Sequence, residues 1–162
     1  MVKDNGKIIG VADTMFARIN MGEIAVETLG DKAKKEKIKI ERYTVPGFKD
    51  LPVACKILIE KYNCDIVLAC GWVGKEDIDE VCAHEANIGL IQAELMTNTH
   101  ILKVFFHEKE AVENAQKQKE ICIDRVHKHT LNALEMLDGK EALRKNAGKG
   151  KRQGYTDAGE IE

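Results

Sequence analysis

Short apolar runs alternate along the chain with longer segments in which apolar residues recur at helical spacing. The runs predict strands, because each is short and is followed by glycine, proline or polar residues. They lie at 8–12, 66–70 and 101–106. The segment 38–45 predicts a further strand, the second in the chain, because it is rich in β-branched and aromatic residues. The run 66–70 is apolar throughout, which is typical of a strand covered on both faces.

Four helices are predicted after these strands, at 21–29, 52–62, 79–96 and 110–137. Gly30 is expected to end the first helix, and the charged segment 32–37 to form a turn. The fourth helix is longer than the sheet requires, and the third carries small residues, so both are expected to contact another subunit. The small residues are Ala83, Ala86, Gly89 and Ala93.

Strand and helix thus alternate four times, an order that predicts a parallel sheet with helices on both faces. In such sheets, ligands bind beyond the carboxyl ends of the strands. The loops in which a site is expected are therefore 13–18, 45–51, 71–78 and 107–110.

Length and charge narrow the class of protein. The 162 residues fit one domain, 1–139, followed by a basic, glycine-containing segment, 140–162, that packs on the same or a neighbouring subunit. A net charge of −2 argues against a nucleic-acid partner. No apolar run is long enough to cross a membrane, and the first residues lack a signal peptide. Five cysteines without a CxxC pair fit reduced thiols, so a cytoplasmic protein is expected.

Three aromatic residues, Phe16, Phe48 and Trp72, each lie just past a predicted strand. They could form a slot for a flat aromatic ligand, because stacked rings gain ~0.5–1.5 kcal/mol beyond the burial of their area. Position alone equally allows each ring to cap the core or to fill a subunit contact.

The loop 45–52 holds both prolines of the chain, and its Gly47 permits a positive φ. Asp50 falls at the start of the second helix, where it is expected to cap the free backbone amides. It could also accept hydrogen bonds from ligand hydroxyls. Both uses can coexist, because a carboxylate offers about four lone-pair sites.

The sequence offers few candidates for a nucleotide site, a metal site or acid–base catalysis. The segment 71–75 lacks both glycine-rich nucleotide motifs, and Cys82 and His84 are wrongly spaced for a metal pair on a helix. His84, Glu85 and His107 lie close to the expected site and are candidate general acids or bases. A structural role, which is the more common one, also suits each of them.

A series of short motifs extends over nearly the whole chain. They are 13–14 with 16–18, 44–47 with 49–56, 74–75, 81–86, 95–98, and 147–150 with 152–154. Together they resemble the archaeal riboflavin synthase family, the type related to lumazine synthase. The resemblance implies a flavodoxin-like three-layer α/β sandwich with a four-stranded parallel sheet.

The resemblance also implies a reaction without a cofactor. Two molecules of dimethylribityllumazine bind in one site, and a four-carbon unit passes between them to give riboflavin and a ribitylaminopyrimidine. Related lumazine synthases hold the ribityl chain with the acid of a VPGxxE[IL]P loop, which here matches Asp50. Their stacking aromatic residue matches Phe16, and their glycine-rich carboxyl-terminal segment matches 148–154.

Two departures argue against lumazine synthesis. Lumazine synthases carry a catalytic histidine in an RGxTxH loop after the third strand, whereas 74–78 contains no histidine. They also carry a phosphate-binding arginine in the fourth helix, and 110–116 contains none. Lumazine synthase and a non-catalytic lumazine or flavin carrier stay as the alternative functions.

The candidate site combines these residues. His84, Glu85, His107 and Lys75 are the candidates for proton transfer, with no choice among them, and no metal is predicted. The predicted substrate-binding residues are Thr14, Phe16, Arg18, Pro46, Gly47, Phe48, Lys49, Asp50, Trp72, Val73, Gly74, Lys149, Arg152 and Gln153. One small crevice would not enclose two substrates. We therefore expect a cyclic homo-oligomer, a pentamer by resemblance, whose neighbouring subunits share the site.

Overall fold

The structure is a computed structural model that describes residues 6–162. The strands in this range are β1 (Ile8–Thr14), β2 (Lys39–Val45), β3 (Ile66–Val73) and β4 (Ile101–His107). The α-helices are α1 (Met21–Lys35), α2 (Leu51–Tyr62), α3 (Asp77–Thr97) and α4 (Ala115–Met136). Short 3-10 turns lie at Phe48–Asp50, Glu108–Ala111 and Arg144–Asn146.

The four strands form one parallel sheet in the order β2-β1-β3-β4. Helices α1 and α4 cover one face, and α2 and α3 cover the other. This arrangement confirms the predicted three-layer α/β sandwich. Because all strands are parallel, their carboxyl ends meet at one edge, where the loops that follow them are brought together.

Successive strand residues point into two separate cores, as the pleat of a strand requires. Cys70, Trp72 and Phe106 pack toward α1 and α4. Val73 and Phe105 pack toward α2 and α3. The end of β3 is therefore a buried strand rather than the loop predicted at 71–74.

The first helix does not end at Gly30, so that prediction was wrong. Gly30 has φ 1° and ψ −98°, which kinks the helix, and α1 then continues to Lys35. Leu29 and Ala33 are both buried on the two sides of the kink. Continuing the helix therefore buries one further apolar residue, and most of the predicted turn at 32–37 is helical.

The fourth helix begins later than predicted. A 3-10 turn at Glu108–Ala111 follows β4. Glu113 then adopts a left-handed conformation, φ 55°, which separates this turn from α4. The side chain of Asn114 then accepts a hydrogen bond from the Lys117 amide and caps α4. Val112 lies outside the helix and is exposed, so it does not belong to the predicted apolar stripe.

The small residues of α3 face α2 within the same chain, not another subunit. Ala83, Ala86 and Ala93 are buried in the core beneath α2. At Gly89, an added Cβ would lie 2.9 Å from Pro52 Cγ, so glycine is required by the close approach of the two helices. The expectation that these residues contact a neighbouring subunit was wrong.

Residues 1–5, on which the expectation of no signal peptide rests, lie outside the described residues. Within 6–162, no helix combines the length and the apolar character that crossing a membrane requires. Cys55, Cys64, Cys70 and Cys122 are buried and Cys82 is half-buried, and all are free thiols. Burial raises the pKa of Cys64 to about 12, so its thiol stays protonated and unreactive at neutral pH.

Candidate active site

An open pocket of about 420 Å³ lies at the carboxyl edge of the sheet, between the loops after β1 and β2 and the start of α3. Phe16 forms one wall, and 53% of its surface is exposed, so a ring face is available to a ligand. The other lining residues are Pro46, Gly47, Phe48, Lys49, Asp50, Asp79 and Cys82. All but Asp79 and Cys82 are predicted binding residues, which the fold thus brings together.

Asp50 occupies the position before α2, but its side chain makes no capping hydrogen bond. The prediction of a cap was wrong because the 3-10 turn at Phe48–Asp50 runs directly into the helix. Asp50 consequently has helical backbone angles, φ −88° and ψ −11°, whereas a capping residue needs extended ones. The exposed carboxylate is free to bind a ligand in the pocket.

Phe48 and Gly47 have different roles from those expected. Phe48 is buried and packs against Phe105, with ring centroids 6.1 Å apart, so it supports the pocket from below instead of offering an open face. Gly47 is extended, with φ −146°, and does not use the positive φ that glycine permits.

Lys49 and Glu85 form an ion pair of 2.8 Å at the rim of the pocket. The hydrogen bond from Lys49 lowers the pKa of Glu85, which is therefore ionised at neutral pH. Glu85 is thus suited to holding Lys49 in place rather than to donating a proton. His84 is exposed on α3 and is not among the residues that line the pocket.

His107 is the candidate acid or base with an oriented ring. Its Nδ1 lies 2.8 Å from Glu80 Oε2, at the start of α3. Because a carboxylate only accepts, Nδ1 carries the hydrogen in this contact, and Nε2 is the nitrogen available for proton exchange. The imidazole is half-buried, with 31% of the side chain exposed.

Trp72 does not lie in a loop, so the prediction of a pocket wall at this position was wrong. It is 2% exposed at the end of β3 and packs against Phe106, with ring centroids 4.5 Å apart. Its indole Nε1 donates to Glu108 Oε1 over 2.7 Å. Arg18 reaches the same oxygen at 3.7 Å, so Glu108 ties the loop after β1 to the ends of β3 and β4.

The segment after β3 offers little side-chain surface to a ligand. Val73 is fully buried in the core beneath α3, so its side chain cannot contact substrate as predicted. Gly74 is closely approached by Asp79, since an added Cβ would lie 2.4 Å from Asp79 Oδ2. Lys75 is exposed beyond it.

A second cavity, of about 290 Å³, lies beside the loop after β1 and is lined by Thr14 and Arg18, among others. The buried carboxylate of Asp13 holds it in shape. Asp13 accepts hydrogen bonds from Arg42 Nη2 at 2.6 Å and from Thr44 Oγ1 at 2.7 Å. The hydroxyl of Thr14 is buried and has no hydrogen-bond partner among the described residues.

The carboxyl-terminal candidates lie elsewhere in the chain. Arg152 and Gln153 line a cavity of about 510 Å³ against the outer side of α4, together with Lys128 and Leu131. Lys149 pairs with Glu160. Within one chain the structure therefore does not bring these three residues into the pocket of Phe16 and Asp50.

Sequence reasoning did not select Asp79, Glu80 and Glu108 as site residues. Asp79 lines the pocket, Glu80 orients His107, and Glu108 joins Trp72 to Arg18. The signal that could have identified them was their position in the sequence relative to the carboxyl edge of the sheet. Glu80 and Asp79 begin a helix that starts at the carboxyl edge, and Glu108 follows a strand that ends there.

The parallel α/β sandwich with a ligand pocket at the carboxyl edge of its sheet defines the class of protein, and a family model identifies the family. The family model of 6,7-dimethyl-8-ribityllumazine synthase matches residues 8–141, and the chain belongs to this family.

Within that family, the chain is similar to archaeal proteins named riboflavin synthase, as the motifs predicted. It is 50% identical to that of Methanothermobacter thermautotrophicus over 94% of this chain and 98% of the relative. It is 46% identical to that of Archaeoglobus fulgidus, over 94% and 97%. It is 43% identical to that of Aeropyrum pernix, over 97% and 99%.

Proposed function

We propose that the protein is a riboflavin synthase. Two molecules of dimethylribityllumazine react, one transfers a four-carbon unit to the other, and the products are riboflavin and a ribitylaminopyrimidine. The observation that carries the proposal is a pocket lined by the exposed ring of Phe16 and by the carboxylate of Asp50, which makes no capping hydrogen bond. This combination suits a flat heterocycle that carries a polyhydroxyl chain, and near-full-length relatives carry the name riboflavin synthase.

The main task of the protein in this reaction is to position the two substrate molecules relative to each other. The ring methyl of the substrate is intrinsically acidic, so the protein need not supply an extreme base. Holding two heterocycles in one orientation can contribute ~7–11 kcal/mol toward the barrier. Phe16 would stack on a ring, and Asp50 and Lys49 would bind ribityl hydroxyls.

Of the four candidates for proton transfer, we favour His107. Its ring is oriented by Glu80, and it lies at the end of β4, at the edge that carries the pocket. Glu85 is engaged by Lys49. His84 and Lys75, like His107, do not line the pocket, and among the described residues no hydrogen bond orients either side chain.

We propose that neighbouring subunits of a cyclic homo-oligomer, a pentamer by resemblance, complete each site. The separation of the Asp50 pocket from Arg152 and Gln153 supports this, because each chain then carries two different half-sites. An exposed apolar stripe on α3 is a suitable subunit contact. Its residues are Ile78, Val81, Ile88, Ile91 and Leu95. The free, largely buried cysteines suit a reducing, cytoplasmic location.

Purified protein is expected to form riboflavin from dimethylribityllumazine alone, with one ribitylaminopyrimidine released per riboflavin. Optical spectra recorded at the growth temperature of the source measure both the reaction and binding. A carrier would shift the absorption bands of the lumazine without producing riboflavin. Unchanged substrate over a prolonged incubation would overturn the proposal.

The protein is expected to form negligible lumazine from ribitylaminopyrimidine and a four-carbon phosphate. The segment after β3 holds no histidine, and the arginine of α4, Arg125, is turned inward to Glu110 instead of toward a phosphate. Chromatographic detection of lumazine measures this reaction. Turnover that depends on the phosphate substrate and rivals riboflavin formation would contradict the prediction.

A further inference from the structure

Glu110 is the centre of a half-buried hydrogen-bond cluster at the carboxyl edge of β4. Its Oε2 accepts from the backbone amide of His107 at 3.0 Å and from Arg125 Nη1 at 2.6 Å. Its Oε1 accepts from Arg125 Nη2 and from the Tyr155 hydroxyl, each at 2.8 Å. One carboxylate in the turn after β4 thus contacts the end of β4, helix α4 and the carboxyl-terminal segment.

Arg125, on α4, binds the turn after β4, the end of β4 and the carboxyl-terminal segment. Besides Glu110, it donates through Nη1 to Phe105 O at 3.0 Å and through Nε to Gln153 O at 3.2 Å. Only 11% of its side chain is exposed, and its guanidinium lies 5.7 Å from the centroid of the Tyr155 ring. The planar fork of arginine suits such multiple contacts, whereas a lysine could not reproduce them.

The carboxyl-terminal segment is seated closely against this cluster. Gly154 is buried, and its amide donates to Asp124 Oδ2 at 2.8 Å. Its φ of 95° is in the region that favours glycine, and an added Cβ would lie 2.6 Å from Arg125 Nη2. Neighbouring residues of α4 therefore fix three consecutive residues, Gln153, Gly154 and Tyr155, in one position.

Glu110 and Arg125 form a largely desolvated ion pair, in which desolvation opposes the attraction, so the pair is a weak source of net stability. The better-attested use of such a pair is to specify one arrangement. Burial opposes the ionisation of Glu110, but the bonds from Arg125, His107 and Tyr155 outweigh it and lower the pKa of Glu110 to about 2. The carboxylate is therefore charged at neutral pH and keeps its bonds to all three partners.

We propose that Glu110 and Arg125 are positioning residues that couple the docked carboxyl-terminal segment to the backbone of His107. Through this cluster the segment that presents Arg152 and Gln153 is held in register with the candidate base. The inference rests on the proposed function for its catalytic consequence. The coupling between the carboxyl-terminal segment and His107 lies within one chain, so it can be measured at His107 without following the reaction.

The test compares two glutamates at the two ends of β4. Glu94 accepts from the Ile101 amide at the start of the strand and pairs with Lys103, so it mirrors Glu110 at the end far from the site. Glu110→Gln is expected to lower kcat at least tenfold with little change in KM. Glu94→Gln is expected to leave kcat unchanged even if it lowers Tm as much. Arg125→Lys should behave as Glu110→Gln does, since it keeps the charge but loses the fork.

A second readout does not need turnover. Tyr155→Phe removes only the hydroxyl that reaches Glu110, and it is expected to shift the ring nitrogen resonances of His107 in protein labelled with ¹⁵N-histidine. It should also speed hydrogen exchange of the His107 amide. Tyr62→Phe is the matched control, because it removes the hydroxyl of an exposed tyrosine at the end of α2, away from this cluster, and should leave both His107 signals unchanged.

These outcomes separate the two proposals. Wild-type protein without riboflavin formation would overturn the proposed function, while the His107 resonances would still decide the coupling. Unchanged His107 signals in Tyr155→Phe, or equal kcat in the folded Glu110→Gln and Glu94→Gln variants, would overturn the positioning role.

Discussion

Asp50→Ala is expected to weaken substrate binding strongly while leaving the fold intact. The carboxylate is exposed in the pocket and makes no capping bond, so its removal costs no hydrogen bond or ion pair within residues 6–162. Hydrogen bonds to a charged group contribute about 1.5–3 kcal/mol each. Losing one or two bonds to ribityl hydroxyls should therefore raise KM by roughly tenfold to a hundredfold or more.

Two ligands make this prediction specific. Riboflavin carries the ribityl chain, and its fluorescence reports binding. A ring of the same type without that chain, such as lumichrome, tests stacking on Phe16 alone. Asp50→Ala should weaken riboflavin binding and leave lumichrome binding unchanged, whereas Phe16→Ala should weaken both.

Stability is the control for Asp50. Surface substitutions usually change the free energy of unfolding by at most about 0.5 kcal/mol, so Tm should stay within about 2 °C of the wild type. Asp31→Ala removes another exposed carboxylate, on α1, and should alter neither Tm nor affinity. A large fall in Tm for Asp50→Ala, or an unaltered affinity for riboflavin, would contradict a ligand-binding role.

Three strands of the sheet could be predicted because each is a short, largely apolar run whose burial dictates its conformation. The mostly exposed β2 could be predicted because it is rich in β-branched and aromatic residues. The end of β3 could not, because glycine normally ends a strand. The strand continues because 71–73 pairs with 105–107 of β4. At Gly71 an added Cβ would lie 3.0 Å from the ring of Phe105, so this close approach favours glycine. The pairing partner is the neighbouring strand, which the local sequence does not reveal. Trp72 consequently points into the core.

The polar contacts of the site were harder to predict than its apolar walls. Phe16 and the loop after β2 could be located, since loops after parallel strands gather at one edge. The partner of His107, however, is 27 residues away on α3. Whether Asp50 caps α2 depended on whether the backbone at the start of the helix is extended or helical. The proline and the glycine in that loop permit either conformation.

Asp50→Ala and Arg152→Ala are each expected to be weakly active, and mixing them after subunit exchange is expected to restore activity. The two residues line separate cavities of one chain, the first beside Phe16 and the second against α4. In a ring closed by heterologous interfaces, the Asp50 half of one subunit would face the Arg152 half of its neighbour. An interface that combines two intact halves would then be fully functional.

The size of the recovery follows from the geometry. With equal amounts and random exchange, an intact Asp50 meets an intact Arg152 at about one interface in four, so about a quarter of the wild-type rate should return. Asp50→Ala mixed with Phe16→Ala is the matched control. Both residues lie in the same half-site, so every interface keeps one defect and no activity should return. Recovery in neither mixture despite confirmed exchange, or a fully active monomer, would mean that each chain holds its own complete site.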